Sequence, residues 1–247
     1  MKTFRHAGDR GDIIYSLPVM RHLGGGTMLI ESAPYTREQL TPDKWAGLDK
    51  ILLEQPYVID VKAYDGGVVD VNLNDFRDPM FKAIRAGHSR DVCLAEWMCR
   101  THKVPVSTVD RQWLDINPHK VVRVVISRSG AGRNGRHVYH NPEFPWRRVM
   151  DKYAGDDVVF LGTELEHAVF SAQIADVQHY RTPSLYEAAR VIAGADMFIG
   201  NQNCLAAIAE GLKKKKVLEV WPAGPNCLFT RDGVVNVFGY DQELPDL

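Results

Sequence analysis

The sequence predicts an α/β protein of two doubly wound halves that face a cleft. Three observations predict it. Strand-like and helix-like segments alternate along most of the 247 residues, the pattern of parallel sheets covered by helices. The alternation breaks at residues 106–120, a stretch with Pro118 and no clear period, and then begins again. Each series opens on a short strand that runs into a glycine-bearing turn, at residues 8–12 and at 129–132.

The elements follow in order. Residues 3–7 read as a strand and 13–23 as a helix, closed by Gly24, Gly25 and Gly26. Residues 27–32 are a short apolar strand, and 36–53 are mostly helical, with Pro42 an interruption or a new start. Residues 58–63 and 68–73 have strand character on either side of the turn signal Asp65-Gly66-Gly67. In residues 89–102, Val92, Leu94, Ala95, Met98 and Cys99 approximate one face of a 3.6-residue period. Beyond the connector, 121–127 is a β-branched run of the kind buried in parallel sheets. Residues 129–145, rich in Gly, Arg, His, Asn and Pro, form a long loop, and such loops in α/β units often carry function. A helix at 146–153, a strand at 157–161, helices at 164–175 and 184–193, a strand at 196–200, a helix at 205–212 and a strand at 217–221 complete the chain. Lys213 to Lys216 read as a solvated helix end that complements the helix dipole.

Composition narrows the function classes. Hydrophobic residues make up 45% and charged residues 25%, ordinary for a globular protein, and the net charge is −1. No global basic excess points to nucleic acid. No apolar run approaches the ~20 residues of a membrane span, so no integral membrane contact is expected. Residues 1–12 hold charges and glycines in place of a signal-peptide apolar region. Cys93, Cys99, Cys204 and Cys227 form no Cys-x-x-Cys pair, so a zinc site is not expected, and reduced thiols suit a cytoplasmic protein. His137 and His140, spaced by three, lack further ligands in the sequence and read as surface histidines.

The richest local signal is Gly8-Asp9-Arg10-Gly11-Asp12-Ile13-Ile14-Tyr15-Ser16-Leu17-Pro18. Glycines let the backbone turn tightly, and the helix N-terminus that follows leaves N–H groups available to a ligand. Asp12 projects from that turn toward the cleft. The competing reading makes Asp12 the N-cap of a helix starting at Ile13, since Asp is a preferred cap. Asp9 is the local competitor for any acid–base role.

Four segments resemble the family 9 glycosyltransferases, the group of the bacterial lipopolysaccharide heptosyltransferases. Residues 11–18 resemble the family's Gly-Asp-x-apolar-x-x-x-Pro turn. Residues 124–132 resemble the strand and loop that open its C-terminal domain. Residues 158–166, with Gly162-Thr163-Glu164-Leu165-Glu166, resemble its strand–glycine–acid segment. Residues 184–201 resemble the helix and strand leading into its donor loop, and are the most specific match. The likeness spans most of the chain, is patchy over residues 35–110, and goes with a shorter first half than the family usually has.

The resemblance implies a GT-B fold, two Rossmann-like domains facing a cleft, here an acceptor-side domain at residues 1–110 and a nucleotide-sugar domain at 120–247. It implies inverting, metal-independent transfer from a nucleotide sugar, with no cofactor beyond that co-substrate. Asp12 takes the role of general base. Arg128, Ser129, Gly130, Arg133 and Arg136 are donor-binding candidates around the diphosphate, Arg136 first among them. For any single arginine the competing reading is a basic surface loop. Gly162 and Glu166 match donor contacts, against an exposed helix residue for Glu166. Asn201, Gln202 and Asn203 occupy the donor loop, where the family carries Asp-Ser/Thr-Gly-x-x-His. This chain has Gln202-Asn203-Cys204 there, and Ala207 where the His would stand. An unusual sugar, or loss of activity, is the expected consequence. Arg10 and Tyr15 are acceptor-side candidates, Tyr15 with core packing as its alternative.

The acceptor expected by default is a lipopolysaccharide-type glycan. The altered donor loop also admits a modified DNA base, which requires a continuous basic strip along Arg10, Arg37, Arg133, Arg136 and Arg147. A non-catalytic nucleotide-sugar-binding module is the second class. A nicotinamide-dependent oxidoreductase ranks last, because Gly8 and Gly11 do not make a Gly-x-Gly-x-x-Gly turn.

Overall fold

The computed structural model describes residues 1–32, 40–87, 92–130, 140–153, 157–222, 224 and 226–246. They build two parallel sheets. The first is formed by β1 (Lys2–His6), β2 (Gly26–Ile30), β3 (Val58–Ala63) and β4 (Val71–Asn72), with α1 (Arg10–His22), α2 (Leu48–Leu53), α3 (Arg77–Arg85) and α4 (Leu94–Thr101). Its strand order is β3-β2-β1-β4. The second contains β5 (Val124–Ser127), β6 (Val158–Phe160), β7 (Met197–Asn201), β8 (Lys215–Glu219) and β9 (Val234–Val237), in the order β6-β5-β7-β8-β9. Helices α5 (Trp146–Tyr153), α6 (Glu164–Gln173), α7 (Leu185–Gly194) and α8 (Cys204–Gly211) belong to this half. Every strand pairing is parallel. β5 and β7 are buried along their whole length, as central strands covered on both faces must be.

The two sheets share apolar packing. One cluster runs from Phe4, Ile13 and Leu17 through Trp113 and Leu114 to Ala206, Ala207, Leu218 and Phe229. The seam is α1 against α8, where alanines allow close approach: Ala206, Ala207 and Ala209 are at most 1% exposed. Backbone bonds cross it as well. Leu94 N–H donates to Asn226 O at 2.9 Å, and the Trp113 and Leu114 N–H groups share Gly211 O at 3.0 Å. A second cluster, with Phe144, Trp146, Phe160 and Phe170, fills the other face of the second sheet.

Three expectations change. α3 and β9 were not anticipated, and the strand expected at 68–73 shrinks to two residues. Of the helix expected at 36–53, the described part forms only a short 3-10 turn at Pro42–Lys44 and α2. The lysine run is not a solvated helix end. Lys215 opens β8, and Lys216 is fully buried, its Nζ bonded to Glu210 Oε2 at 2.7 Å. Lys213 and Arg231 reach the same buried carboxylate at 2.7 and 2.9 Å. A buried acid six residues upstream thus overrides the solvation preference of lysine. Among the described residues, no helix is long and apolar enough to cross a membrane.

Candidate active site

In a doubly wound sheet, ligands bind beyond the strand ends where the chain order reverses. In the first sheet that point lies between β1 and β4, since β1 continues through α1 to β2 on one side and β4 lies on the other. The chain there turns sharply at Gly8. A Cβ on Gly8 would lie 2.5 Å from His6 Cε1 and 2.6 Å from Asp12 Cβ, so only glycine fits. Asp9, in extended conformation, is the N-cap of α1, and its carbonyl accepts from Ile13 N–H at 3.1 Å. The helix therefore starts earlier than the sequence suggested. Asp12 stands in its first turn and is not the cap, which removes the capping explanation for that acid.

The turn after β4 meets this one. Ala7 N–H donates to Asn74 Oδ1 at 2.9 Å, and Arg77 Nη2 donates to Asp12 Oδ2 at 3.0 Å. The Asp12 side chain is 22% exposed. Burial raises its carboxyl above the usual aspartate range; Arg77 opposes that and Asp9 adds to it. A carboxylate of raised affinity for protons, fixed by one arginine, is suited to take a proton from a hydroxyl.

In the second sheet the reversal point lies between β5 and β7. Amides and hydroxyls fill it. Asn201 is buried, accepts from Ser129 N–H at 3.0 Å and donates to Ser129 O at 2.9 Å. Asn203 caps α8 by accepting from Ala206 N–H at 2.9 Å, and donates to Ser127 Oγ at 3.0 Å. Gln202 accepts from Trp221 N–H at 2.7 Å and donates to Gly224 O and Asn226 Oδ1 at 2.9 and 2.8 Å. The three amides thus shape the loop around them. Gln202→Glu replaces a donor with a second acceptor facing Gly224 O and Asn226 Oδ1, so it should destabilise the fold by about 1–3 kcal/mol in urea unfolding at pH 7.

Both turns border one cleft of about 230 Å³. Asp9, Arg10, Gly11, Asp12 and Tyr15 line it from the first half, Ser129 and Asn201 to Cys204 from the second, with Asn226 and Cys227 also on its wall. α1 and α8 begin side by side: a Cβ on Gly11 would lie 3.6 Å from Cys204 Cα. First-turn N–H groups of two helices therefore border the same space, an arrangement that favours an anion.

The other sequence candidates are distributed more widely. Arg128 makes a two-pronged pair with the buried Glu219, at 3.0 and 2.9 Å, and borders a separate cleft beside Trp146 and Tyr240. Burial raises the Glu219 carboxyl, with Arg128 opposing. Glu166 completes a capping box with Thr163 at the start of α6 and also accepts from Gly130 N–H at 3.2 Å. It is a cap rather than an exposed helix residue. Gly162 O meets His179 Nε2 at 3.0 Å. Tyr15 is 2% exposed, its ring 5.7 Å from that of Phe229, and burial together with the neighbouring Cys227 pushes its hydroxyl pKa up. Arg10 donates to Lys44 O at 2.7 Å. Arg133, Arg136, His137 and Arg37 lie outside the described residues. Arg147 borders the separate cleft with Glu143 and Asp241. Among the described residues, no group of three or more His, Cys, Asp or Glu side chains could hold a metal ion.

Sequence reasoning missed Arg77, Asn74, His6, Asn226 and Cys227. The signal for the first two exists only in topology, because β4 brings them beside β1.

By sequence, no family model and no curated protein matches this chain. By structure, the chain has the α/β fold of glycosyltransferases of the heptosyltransferase group. It is similar to the ADP-heptose lps heptosyltransferase II of E. coli, at 15% identity and a TM-score of 0.54, over 97% of this chain and 92% of that one. It is similar to the glycosyl transferase family 9 protein of Veillonella parvula, at 12% identity and a TM-score of 0.57, over 87% of this chain and 79% of that one. The dodecameric, iron-containing heptosyltransferase TibC of enterotoxigenic E. coli, solved with ADP-D-beta-D-heptose, aligns over 96% of this chain and 62% of its own, at 14% identity and a TM-score of 0.58. At these identities the likeness is one of fold.

Proposed function

We propose that this chain is an inverting, metal-independent glycosyltransferase of GT-B organisation, with residues 1–110 on the acceptor side and 120–247 holding a nucleotide sugar. The observation that carries this reading is the position of Asp12. A carboxylate of raised pKa, held by Arg77, shares a cleft with the N-terminus of α8. Asp12 takes the proton of the acceptor hydroxyl. The hydroxyl oxygen attacks the anomeric carbon on the face opposite the nucleotide, and the bond to the diphosphate breaks with its electron pair leaving on the phosphate. Helix N-termini, and Arg133 and Arg136 from the loop, balance that charge.

Asn201, Gln202 and Asn203 are committed to protein partners. In this reading they preset the donor crevice, and contact with the donor falls mainly to backbone N–H groups. The ADP-heptose bound to TibC, and the ADP-heptose in the name of the E. coli enzyme, make ADP-sugars the first donors to try. The acceptor follows the default, a lipopolysaccharide-type glycan; a modified DNA base is the weaker alternative, because Arg147 of its expected basic strip lines the separate cleft with Glu143 and Asp241. Such donors are met in the cytoplasm, where we place the protein.

Calorimetric titration with ADP- and UDP-sugars, followed by assays of transfer and of donor hydrolysis, tests the reading. Binding with release of nucleoside diphosphate supports it. Binding without any turnover, across glycan and DNA acceptors, favours a non-catalytic module, for which the committed amides are the supporting observation. No binding to any nucleotide sugar sinks both.

A further inference from the structure

His6 ends β1, is fully buried, and belongs to no sequence motif. Its Nδ1 accepts from Gly8 N–H at 2.9 Å. That bond places the proton of the neutral ring on Nε2, which has no hydrogen-bond partner among the described residues. A buried donor without a partner is unfavourable. The ring therefore calls for a role, and its neighbours supply one. The point where a Cβ on Gly8 would stand is 2.5 Å from His6 Cε1 and 2.8 Å from Asp12 Oδ2. Imidazole edge and carboxylate thus crowd the same point beside Gly8, and Arg77 Nη2 bonds that same Asp12 Oδ2 at 3.0 Å.

We propose that His6 is a positioning residue for Asp12: its ring, seated in the space Gly8 leaves open, holds the Asp12 carboxylate against Arg77 and keeps water from its inner side. The proposal rests on the reading of Asp12 as the base. A neutral ring is needed, since Nδ1 must stay free of a proton to accept from Gly8. The site ensures this: burial first, and then Arg77, push the His6 pKa down to about 3. The groups that face Asp12 are Arg77 at the start of α3, Asp9 ahead of α1, His6 at the end of β1 and the Cys227 thiol beyond β8.

Long-range proton–nitrogen spectra of the unmodified protein read the His6 tautomer without any substitution. The Nε2–H form, uncharged down to pH 5, is expected; an Nδ1–H form, or a ring that gains a proton above pH 6, overturns the proposal. The Asp12 carboxyl can then be titrated by carbon-13 shift, with Asp12→Asn as the assignment control. His6→Asn keeps an acceptor for Gly8 N–H but removes the ring, so the Asp12 midpoint should fall by about one pH unit as water enters. His6→Phe keeps a ring there and should hold the midpoint. Equal midpoints in the unmodified and His6→Asn proteins overturn the role. Gly8→Ala inserts a methyl 2.5 Å from His6 Cε1 and 2.6 Å from Asp12 Cβ, and so forces ring and carboxylate apart. It should lower kcat by about 10²-fold with donor KM changed less than about threefold, and unchanged kcat counts against the proposal. Should the unmodified protein transfer no sugar, the transferase reading fails, while the tautomer and the Asp12 titration still decide what His6 does.

Discussion

Asp12→Asn is expected to bind its nucleotide-sugar donor as tightly as the unmodified protein and to lose about 10²–10⁴-fold in kcat, the range over which a positioned base contributes. The substitution keeps shape and the hydrogen-bond acceptor that faces Arg77, and removes only the capacity to take a proton. The pH profile gives a second readout. The folded Asp12 carboxyl is raised above its ordinary value, so turnover should be full above that raised value and fall tenfold per pH unit below it. Asparagine should abolish that acidic limb. Stability should move the other way. An acid with a raised pKa weakens the fold once it ionises, that is, as pH rises through the folded pKa. Asp12→Asn should therefore be as stable as the unmodified protein at pH 7, or more so, in urea unfolding. Full transfer by the variant, with the acidic limb intact, would remove Asp12 from the base role.

Glu210→Gln is expected to be the most destabilising single change, at about 3–5 kcal/mol, because it leaves buried cations without their counter-charge. Glu210 is 0% exposed and holds Lys213, Lys216 and Arg231 together. Lys213 also donates to Val109 O at 2.6 Å, and so ties the connector to α8. Burial alone would raise the Glu210 pKa, but Lys216, Arg231 and Lys213 overrule it and hold it at about 2. Its contribution is present above the ordinary value of 4.5 and is lost as pH falls from there toward 2. The gap between unmodified and variant proteins in urea unfolding should thus be widest at pH 7 and should shrink by pH 3. A gap that is the same at both would mean that the carboxylate's charge is not what stabilises this cluster.

Much of the fold was legible because the physics was local. β5 and β7 are covered on both faces, so they open as apolar runs, residues 124–126 and 197–199, and the buried faces of α7 and α8 carry their own period. α3 was not legible because it buries only Met80 among charged neighbours. The lysine run misled because nothing in a string of like charges shows that an acid one helical turn earlier will be buried with it.

The candidate site divides in the same way. The glycine-flanked turn located Asp12, and the loop at residues 201–203 located the facing wall. Arg77 stands 65 residues from Asp12 and meets it only because β4 adds to the edge of β1. The partners of Asn201 and Gln202 are tertiary, and Asn203 joins a local cap to a distant bond with Ser127, so their amides read as ligand groups in the sequence alone.

The apolar seam between α1 and α8 has a consequence for how substrates are met. Those helices carry the two turns that oppose one another across the cleft, and they pack directly on each other through alanine and glycine. Swinging the halves apart would tear open the hydrophobic interior, so the spacing between Asp12 and the start of α8 is settled when the chain folds. For the transferase proposed above, this makes the cleft a template cut to size in advance: a sugar of the wrong girth would be refused at the entrance, and the right one would find Asp12 and the helix ends already at their working separation.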